Sequence, residues 1–359
     1  MKKKPLINIL ITCTNSQVAP SIISLIKNHP DYNISVIGVD VVSEKDNNNT
    51  QFLDKYYQVP MGDNKNYIST IKKIVKKNKV RVIFVGSDEE VLSLAENKKD
   101  FKNNFNCEVC CSPLRAVKIT TNKYKLMMKL KKNKIDVGKV YSLNKLKDLR
   151  LYAEKLGYPK NKFIIKPKFG RGSKGFRVVI DDYDKYQSFY SRDTINISLD
   201  ELEEVFRIRP KKILNYLVME YLPGNKYSAD ILVNNGKIVS MVIRNNWKTP
   251  KVNPPTQLAD IVFDKDVRKY VTKIVKCMNF DFFIQIEVGR NYQGKPILIE
   301  SNTRLDATIP ITTGLGINFF HEMITYSLTG KFRPNLPDYK NYHKKLRFVR
   351  YWQHCFKEL

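Results

Sequence analysis

The sequence predicts an α/β fold with a doubly wound parallel sheet in its first third, and an α+β fold with antiparallel strands beyond it. Three observations lead there. Up to about residue 115, short β-branched runs alternate with helix-period segments, the pattern of parallel strands joined by helical crossovers. Later, a tight turn signal, Asn234-Asn235-Gly236, joins two strands directly, which is how antiparallel neighbours connect. The chain of 359 residues, 42% hydrophobic, is long enough for two or three ordinary cores.

Taken in order, Leu6 to Thr12 reads as a strand, Ala19 to Asn28 as a helix, and Ile34 to Val39 as a second strand ending at Asp40. The helix Tyr67 to Asn78 and the strand Val80 to Val85 repeat this unit in looser form, and Val85-Gly86-Ser87-Asp88-Glu89 reads as a strand end, turn and N-cap that opens a helix through Ala95. The first turn, Thr12-Cys13-Thr14-Asn15-Ser16, has no glycine fingerprint, which disfavours a nicotinamide dehydrogenase. From Asn122 the pattern changes: a basic helix Lys123 to Asn133, a short strand Gly138 to Ser142 and a helix Asn144 to Leu156.

Gly170, Gly172 and Gly175 then stand in G-x-G-x-x-G spacing within KFIIKPKFGRGSKGFRVVI. A dinucleotide site needs a helix after the glycines. Phe176 to Ile180 is instead a β-branched run, so the glycines sit in a hairpin turn. Helical stretches follow near Tyr183 to Ser191 and Leu199 to Ile208. Two antiparallel pairs are expected next: Asn215–Tyr221 with Tyr227–Val233, and Tyr227–Val233 with Lys237–Arg244. A helix Asp266 to Met278 precedes two more strands, Phe282 to Val288 and Pro296 to Glu300. The tail, residues 331–359 with Tyr351 and Trp352, is expected to pack on the nucleotide domain.

The formal net charge of +28 invites a nucleic-acid reading. The lysines are spread along the chain on solvated helix faces, such as Lys72, Lys73, Lys76 and Lys77, and no nucleic-acid motif accompanies them. A surface that attracts anionic metabolites fits better. No apolar run approaches the roughly 18 residues that span a bilayer, and no signal-peptide pattern follows the N-terminus, so a cytoplasmic protein without membrane contact is expected. Cys107, Cys110 and Cys111 lack a second ligand pair for zinc and read as reduced thiols. The four histidines are scattered and form no ligand pattern.

Chemistry enters on the last two strands. Glu300, Asn302 and Arg304 alternate and so share a face, and Gln285 and Glu287 alternate on the strand before. Oxygen ligands without His or Cys suit Mg2+ completed by substrate phosphates. A surface hairpin with ordinary salt bridges is the plainer reading of charged strand ends. Lys166, which follows the apolar Phe163-Ile164-Ile165 and can aim a cation at phosphates, favours the site, as does the glycine hairpin with its backbone N–H groups.

Phe163 to Val179, Met219-Glu220-Tyr221-Leu222-Pro223-Gly224 and Gln285 to Arg304 together resemble the ATP-grasp superfamily, most closely one synthetase unit of the carbamoyl phosphate synthase large subunit. The resemblance reaches to about Gly330. It implies a Rossmann-like pre-ATP-grasp domain (1–115), then an ATP-grasp domain (116–330) whose two α+β subdomains, a lid (about 122–220) and a metal-site subdomain (about 221–330), clasp ATP. Residues 331–359 form an extension.

By position, the resemblance implies that Lys123, Lys166 and, more loosely, Arg244 contact phosphates, and that Gly170, Gly172, Ser173 and Gly175 form the lid loop. Glu220, Tyr221 and Leu222 would read the adenine. Gln285, Glu300 and Asn302, with Glu287 as alternative, would bind Mg2+, or Mn2+ in its place. Arg304 would face an acyl phosphate, and Asp306 and Thr308 would meet the substrate. The implied activity is an ATP-dependent carboxylate–amine ligase that releases ADP and phosphate. Lys226 stands where the family usually has an acid for the ribose, so either Asn225 takes that role or nucleotide binding is altered. A single unit without a glutaminase makes carbamoyl phosphate synthesis a poor fit. A non-catalytic nucleotide-binding protein and a basic nucleic-acid-binding protein are the alternatives, and a homodimer is compatible with base rates.

Overall fold

The computed structural model describes residues 3–170, 174–190, 195–248, 257–333, 336 and 346–351, with 247 and 248 by backbone alone. Its strands form three sheets. The first contains β1 (Leu6–Thr12), β2 (Asn33–Asp40), β3 (Lys55–Gln58), β4 (Val82–Phe84) and β5 (Glu108–Cys110). These run parallel in the order β3-β2-β1-β4-β5. The chain winds outward from β1, then returns to place β4 on its other side, so a crevice opens at the carboxyl ends of β1 and β4, where such sheets hold ligands.

Close backbone approach shapes that crevice. A Cβ on Gly86, just past β4, would stand 2.4 Å from the Thr12 carbonyl oxygen and 2.8 Å from the Cys13 Cβ, so only glycine fits. Beneath it Glu90, 7% exposed, accepts hydroxyl hydrogen bonds from Thr12 (2.6 Å), Ser87 (2.8 Å) and Tyr67 (3.1 Å). Ser87 does cap the helix Asp88–Glu96 by position, but its hydroxyl serves Glu90 instead of the helix backbone.

The second sheet, in the order β6-β10-β7-β8-β9, contains β6 (Val140–Ser142), β7 (Phe163–Pro167), β8 (Arg177–Val179), β9 (Asn196–Ile197) and β10 (Tyr216–Glu220). β7 and β8 pair antiparallel, as the glycine hairpin predicts. The third sheet has the order β15-β14-β11-β12-β13-β16. Its members are β11 (Lys226–Asn234), β12 (Lys237–Lys248), β13 (Leu258–Ile261), β14 (Phe282–Arg290), β15 (Pro296–Asn302) and β16 (Leu346–Val349).

The β11–β12 hairpin forms as predicted, with Asn235 and Gly236 at φ of 47° and 77°, the left-handed pair such a turn requires. The expected pairing of β10 with β11 does not occur. Both edges of β10 are taken by β6 and β7, and both edges of β11 by β12 and β14. Leu222 to Asn225 therefore link two sheets, and the close approach of Gly224 to Arg290, whose carbonyl accepts from Gly224 N–H at 3.0 Å, fixes the crossing.

The tail contributes β16, which adds an edge strand against β13 of the third sheet. Trp352 lies outside the described residues, and Tyr351 is exposed.

Helix Phe319–Thr329 joins the first and third sheets. Phe319, Phe320, Met323 and Ile324 are wholly buried in a core shared with Ile9, Ile11 and Phe84 on one side and Leu232, Val242 and Phe283 on the other. At about 1.5–3 kcal/mol per buried large side chain, that face is a strong contributor to interdomain packing. His29 and His321, far apart in sequence, meet in it with ring centroids 4.8 Å apart. Burial lowers the pKa of both, that of His29 to about 4. Cys107, Cys110 and Cys111 are buried free thiols around β5.

Candidate active site

Strand register assembles a polar row across the third sheet. Gln285 stands opposite Asn302 and Glu287 opposite Glu300, so two alternating patterns become one patch of oxygen-bearing side chains. β11 continues it with Ser228 opposite Glu287 and Asp230 opposite Gln285, and β12 places Arg244 opposite Ser228. A register shift between Glu287 and Val288 leaves Ile299 outside the ladder pairs. Its carbonyl instead accepts a 2.6 Å hydrogen bond from Lys166 Nζ. The row floors a cavity of about 900 Å³, roofed by the β7–β8 hairpin and bounded by the Cys13–Ala19 loop and Gly86 of the first domain.

Two cations approach the patch from the β15 side. Lys123 opens the helix Lys123–Lys132, capped by the Asn122 side chain. Its Nζ donates to the Gly170 carbonyl at 2.6 Å and lies 3.7 Å from Glu300 Oε2. Lys166 is 6% exposed, and burial lowers its pKa to about 8 against the opposing pull of Glu300. Burial and the facing Glu300 push the Glu287 carboxyl up to about 8, with Arg244 and Lys226 acting the other way.

These residues fit a hard divalent cation. Two carboxylates face each other across adjacent strands beside the Gln285 and Asn302 amides, and Glu287 holds a proton where no cation offsets its charge. Among the described residues no group of three or more His, Cys, Asp or Glu could hold a metal by itself, so phosphate and water oxygens would complete the shell, as Mg2+ prefers. Gln285 is held by its own hydrogen bonds: Nε2 donates to Thr308 Oγ1 (3.0 Å) and Asp230 (3.3 Å), while Oε1 accepts from Asn302 (3.2 Å).

Arg304, expected to face an acyl phosphate, lines the cavity and is already engaged by carboxylates. Its Nε and Nη2 fork onto Asp88 at 3.1 and 3.3 Å, and Nη1 serves both the Leu305 carbonyl (3.0 Å) and Asp306 (3.2 Å). Burial alone would lower its pKa, but Asp88 and Asp306 hold the guanidinium firmly charged. Asp306 and Thr308, expected to meet substrate, are likewise engaged: Asp306 Oδ1 accepts from the Thr308 N–H (3.0 Å) and hydroxyl (2.5 Å). All three line the cavity, and Arg304 anchors this wall to the first domain through Asp88.

The remaining expected residues divide. Glu220 ends β10, Tyr221 and Leu222 follow it, and none of the three is among the residues that line the cavity. Glu220 Oε1 is buried without a partner, and burial together with Asp136 raises its pKa. Gly170 and Gly175 have φ of 99° and 74°, while Gly172 and Ser173 lie outside the described residues. Lys226 lines the cavity and Asn225 does not. Sequence reading missed Asp88, Ser228 and Asp230. Ser228 and Asp230 alternate on an apolar strand as Gln285 and Glu287 do, a signal that was present; Asp88 gave none.

Two family models match separate parts of the chain. Residues 212–349 match the family model described as ATP-grasp in the biosynthetic pathway with Ter operon, and residues 9–109 match the PylC-like N-terminal domain. Among solved structures, L-amino acid ligase from Bacillus licheniformis superposes with a TM-score of 0.64 at 18% identity, over 92% of this chain and 78% of that one. N5-carboxyaminoimidazole synthetase from Staphylococcus aureus complexed with ADP gives 0.66 at 17%, over 94% and 80%.

The biotin carboxylase domain dimer of Hydrogenobacter thermophilus 2-oxoglutarate carboxylase, with MgADP and bicarbonate, gives 0.66 at 14%, over 91% and 70%. At such identities the likeness is one of fold. No curated protein matches the sequence. The expected kinship to carbamoyl phosphate synthase finds no closer support here than the ATP-grasp description of the model that residues 212–349 match.

Proposed function

We propose that this chain, which carries an ATP-grasp domain behind a PylC-like N-terminal domain, is an ATP-dependent ligase that joins a small carboxylate to an amine. The observation that carries the reading is the facing pair Glu287 and Glu300 with Lys123 and Lys166 beside it. This is a carboxylate pair and a cation pair at one cavity wall, the charge pattern that a metal–triphosphate needs.

In the reaction so read, a substrate carboxylate oxygen attacks the γ-phosphorus and ADP leaves. The amine nitrogen then attacks the acyl carbon, phosphate leaves, and the nitrogen loses a proton. Catalysis of this kind is positioning and charge neutralisation. Mg2+, or Mn2+, held by Glu287, Glu300 and the Gln285 and Asn302 amides would offset phosphate charge. Lys123 and Lys166 neutralise the phosphates from the β15 side, and Lys123 ties the lid backbone at Gly170 to that cluster. Arg304 fixes the Asp306–Thr308 turn and holds the first domain against the site through Asp88. The two-domain wall excludes water from a hydrolysable acyl phosphate.

The neighbour described as a domain dimer makes a homodimer of this chain a reasonable expectation, and no helix among the described residues is long and apolar enough to cross a membrane. One observation favours a second reading: Lys226 lines the cavity where an acid was expected, and a lysine only donates, which would suit a nucleotide-binding protein without turnover. ADP release in the presence of Mg2+ and ATP, screened over pairs of carboxylates and amines, decides between them. Release that requires both partners supports the ligase, and nucleotide binding with no release under any pair rejects it.

A further inference from the structure

Resting on the ligase reading above, we infer that the β12 end of the row is the site of the carboxylate substrate, and that this substrate carries an N–H donor close to its carboxylate, as an amino acid does. The row has a direction. Lys123 and Lys166 reach its β15 end through Glu300 and the Ile299 carbonyl, which assigns that end to the phosphates. Glu300 and Glu287 follow, then Ser228, then Arg244. With strands about 4.8 Å apart, the Arg244 backbone lies about 10 Å past Glu287, and its side chain turns back toward β11 to pair with Asp230.

Two polar atoms at that end lack partners among the described residues. Arg244 is 1% exposed and lines the cavity, yet its Nε has no hydrogen-bond acceptor. Asn246, two residues on and therefore on the same face, donates its Nδ2 to Ser228 Oγ at 2.9 Å, and its buried Oδ1 accepts from nothing. A buried planar guanidinium with a free edge selects a carboxylate, and a buried free acceptor selects an N–H. Together they recognise two adjacent groups of one molecule. Arg304 is a poorer rival for the carboxylate, because four of its five N–H groups are committed to Asp88, Leu305 and Asp306. The carboxylate held by Arg244 is then the one whose oxygen attacks the phosphorus.

The test uses the full chain with Mg2+ and the non-hydrolysable analogue AMP-PNP, whose binding is measured first by calorimetry. Common L-amino acids, their desamino acids and their decarboxylated amines are then titrated into the saturated complex. At least one amino acid should bind, its desamino acid about tenfold or more weaker, and the amine not measurably. Asn246→Ala should erase the preference for the amino acid over the desamino acid. Arg244→Met should lose the amino acid when it is titrated at saturating Mg2+-AMP-PNP, with the affinity of the variant for AMP-PNP measured first. Because Arg244→Met strands Asp230, the double variant Arg244→Met/Asp230→Leu is measured beside it. AMP-PNP binding without a response to any amino acid, or equal binding of both acids in the parent, overturns this inference alone. Absence of AMP-PNP binding overturns the ligase reading and this one with it.

Discussion

Binding of Mg2+-ADP to this site should be linked to protons with a sign that reverses with pH. Burial and the facing Glu300 hold the Glu287 carboxyl at about 8, and burial brings the Lys166 ammonium down to about 8. Near pH 7 each group therefore carries about 0.9 of a proton before ligand binds. A cation requires Glu287 ionised and phosphates require Lys166 charged, so binding releases roughly 0.9 proton from one and adds roughly 0.1 to the other, a net release of about 0.8. Near pH 9 the two contributions exchange, and a net uptake of about 0.8 proton is expected, with the crossover at about pH 8.

Calorimetry in two buffers of different ionisation enthalpy counts these protons. Glu287→Gln should leave uptake at both pH values, and Lys166→Met release at both. A proton count with the same sign at both pH values in the parent refutes the placement of these two groups against the metal and phosphates.

Without ligand, the same raised Glu287 value means that the folded state keeps a proton that the unfolded state loses above 4.5. Stability contributed below that value is lost as pH rises toward 8, and urea unfolding of Glu287→Gln should show a flatter profile across that window. Arg244→Met should cost about 3–5 kcal/mol in urea unfolding by leaving Asp230 buried and unpaired, whereas Arg244→Met/Asp230→Leu should recover most of the loss. Asp88→Ala strips the carboxylate from Arg304 and should cost about 1–3 kcal/mol, read as a lower Tm together with faster proteolysis between the first domain and the rest. Gly86→Ala drives a Cβ toward the Thr12 carbonyl and should lower Tm by several degrees, about 1–3 kcal/mol.

What the sequence disclosed follows from how far each signal travels along the chain. The period of two along β14 and β15 brought Gln285, Glu287, Glu300 and Asn302 to one face, because alternation in a strand is a local rule, and the register then set them opposite one another. The β7–β8 hairpin and the Asn235-Gly236 turn were legible for the same reason. The pairing of β10 was misread because adjacency in sequence suggests a hairpin, and nothing near Pro223 and Gly224 reveals that both edges of β10 are already occupied. The engagement of Arg304 was invisible, since its partner Asp88 lies 216 residues away and its sequence neighbours carry no trace of it. Arg244 and Asp230 sit on adjacent strands of a legible hairpin, but only the burial of both shows that the pair is interior.

The central claim is that Glu300 belongs to a metal–nucleotide site, and thermal unfolding of the parent and of Glu300→Ala, each with and without Mg2+-ATP, tests it most directly. At about 100 times its dissociation constant, the nucleotide should add roughly 2.7 kcal/mol to the stability of the parent. That gain should require Mg2+ and be lost or much reduced in Glu300→Ala. An equal, metal-independent shift in both proteins, or no shift in either, would contradict the account.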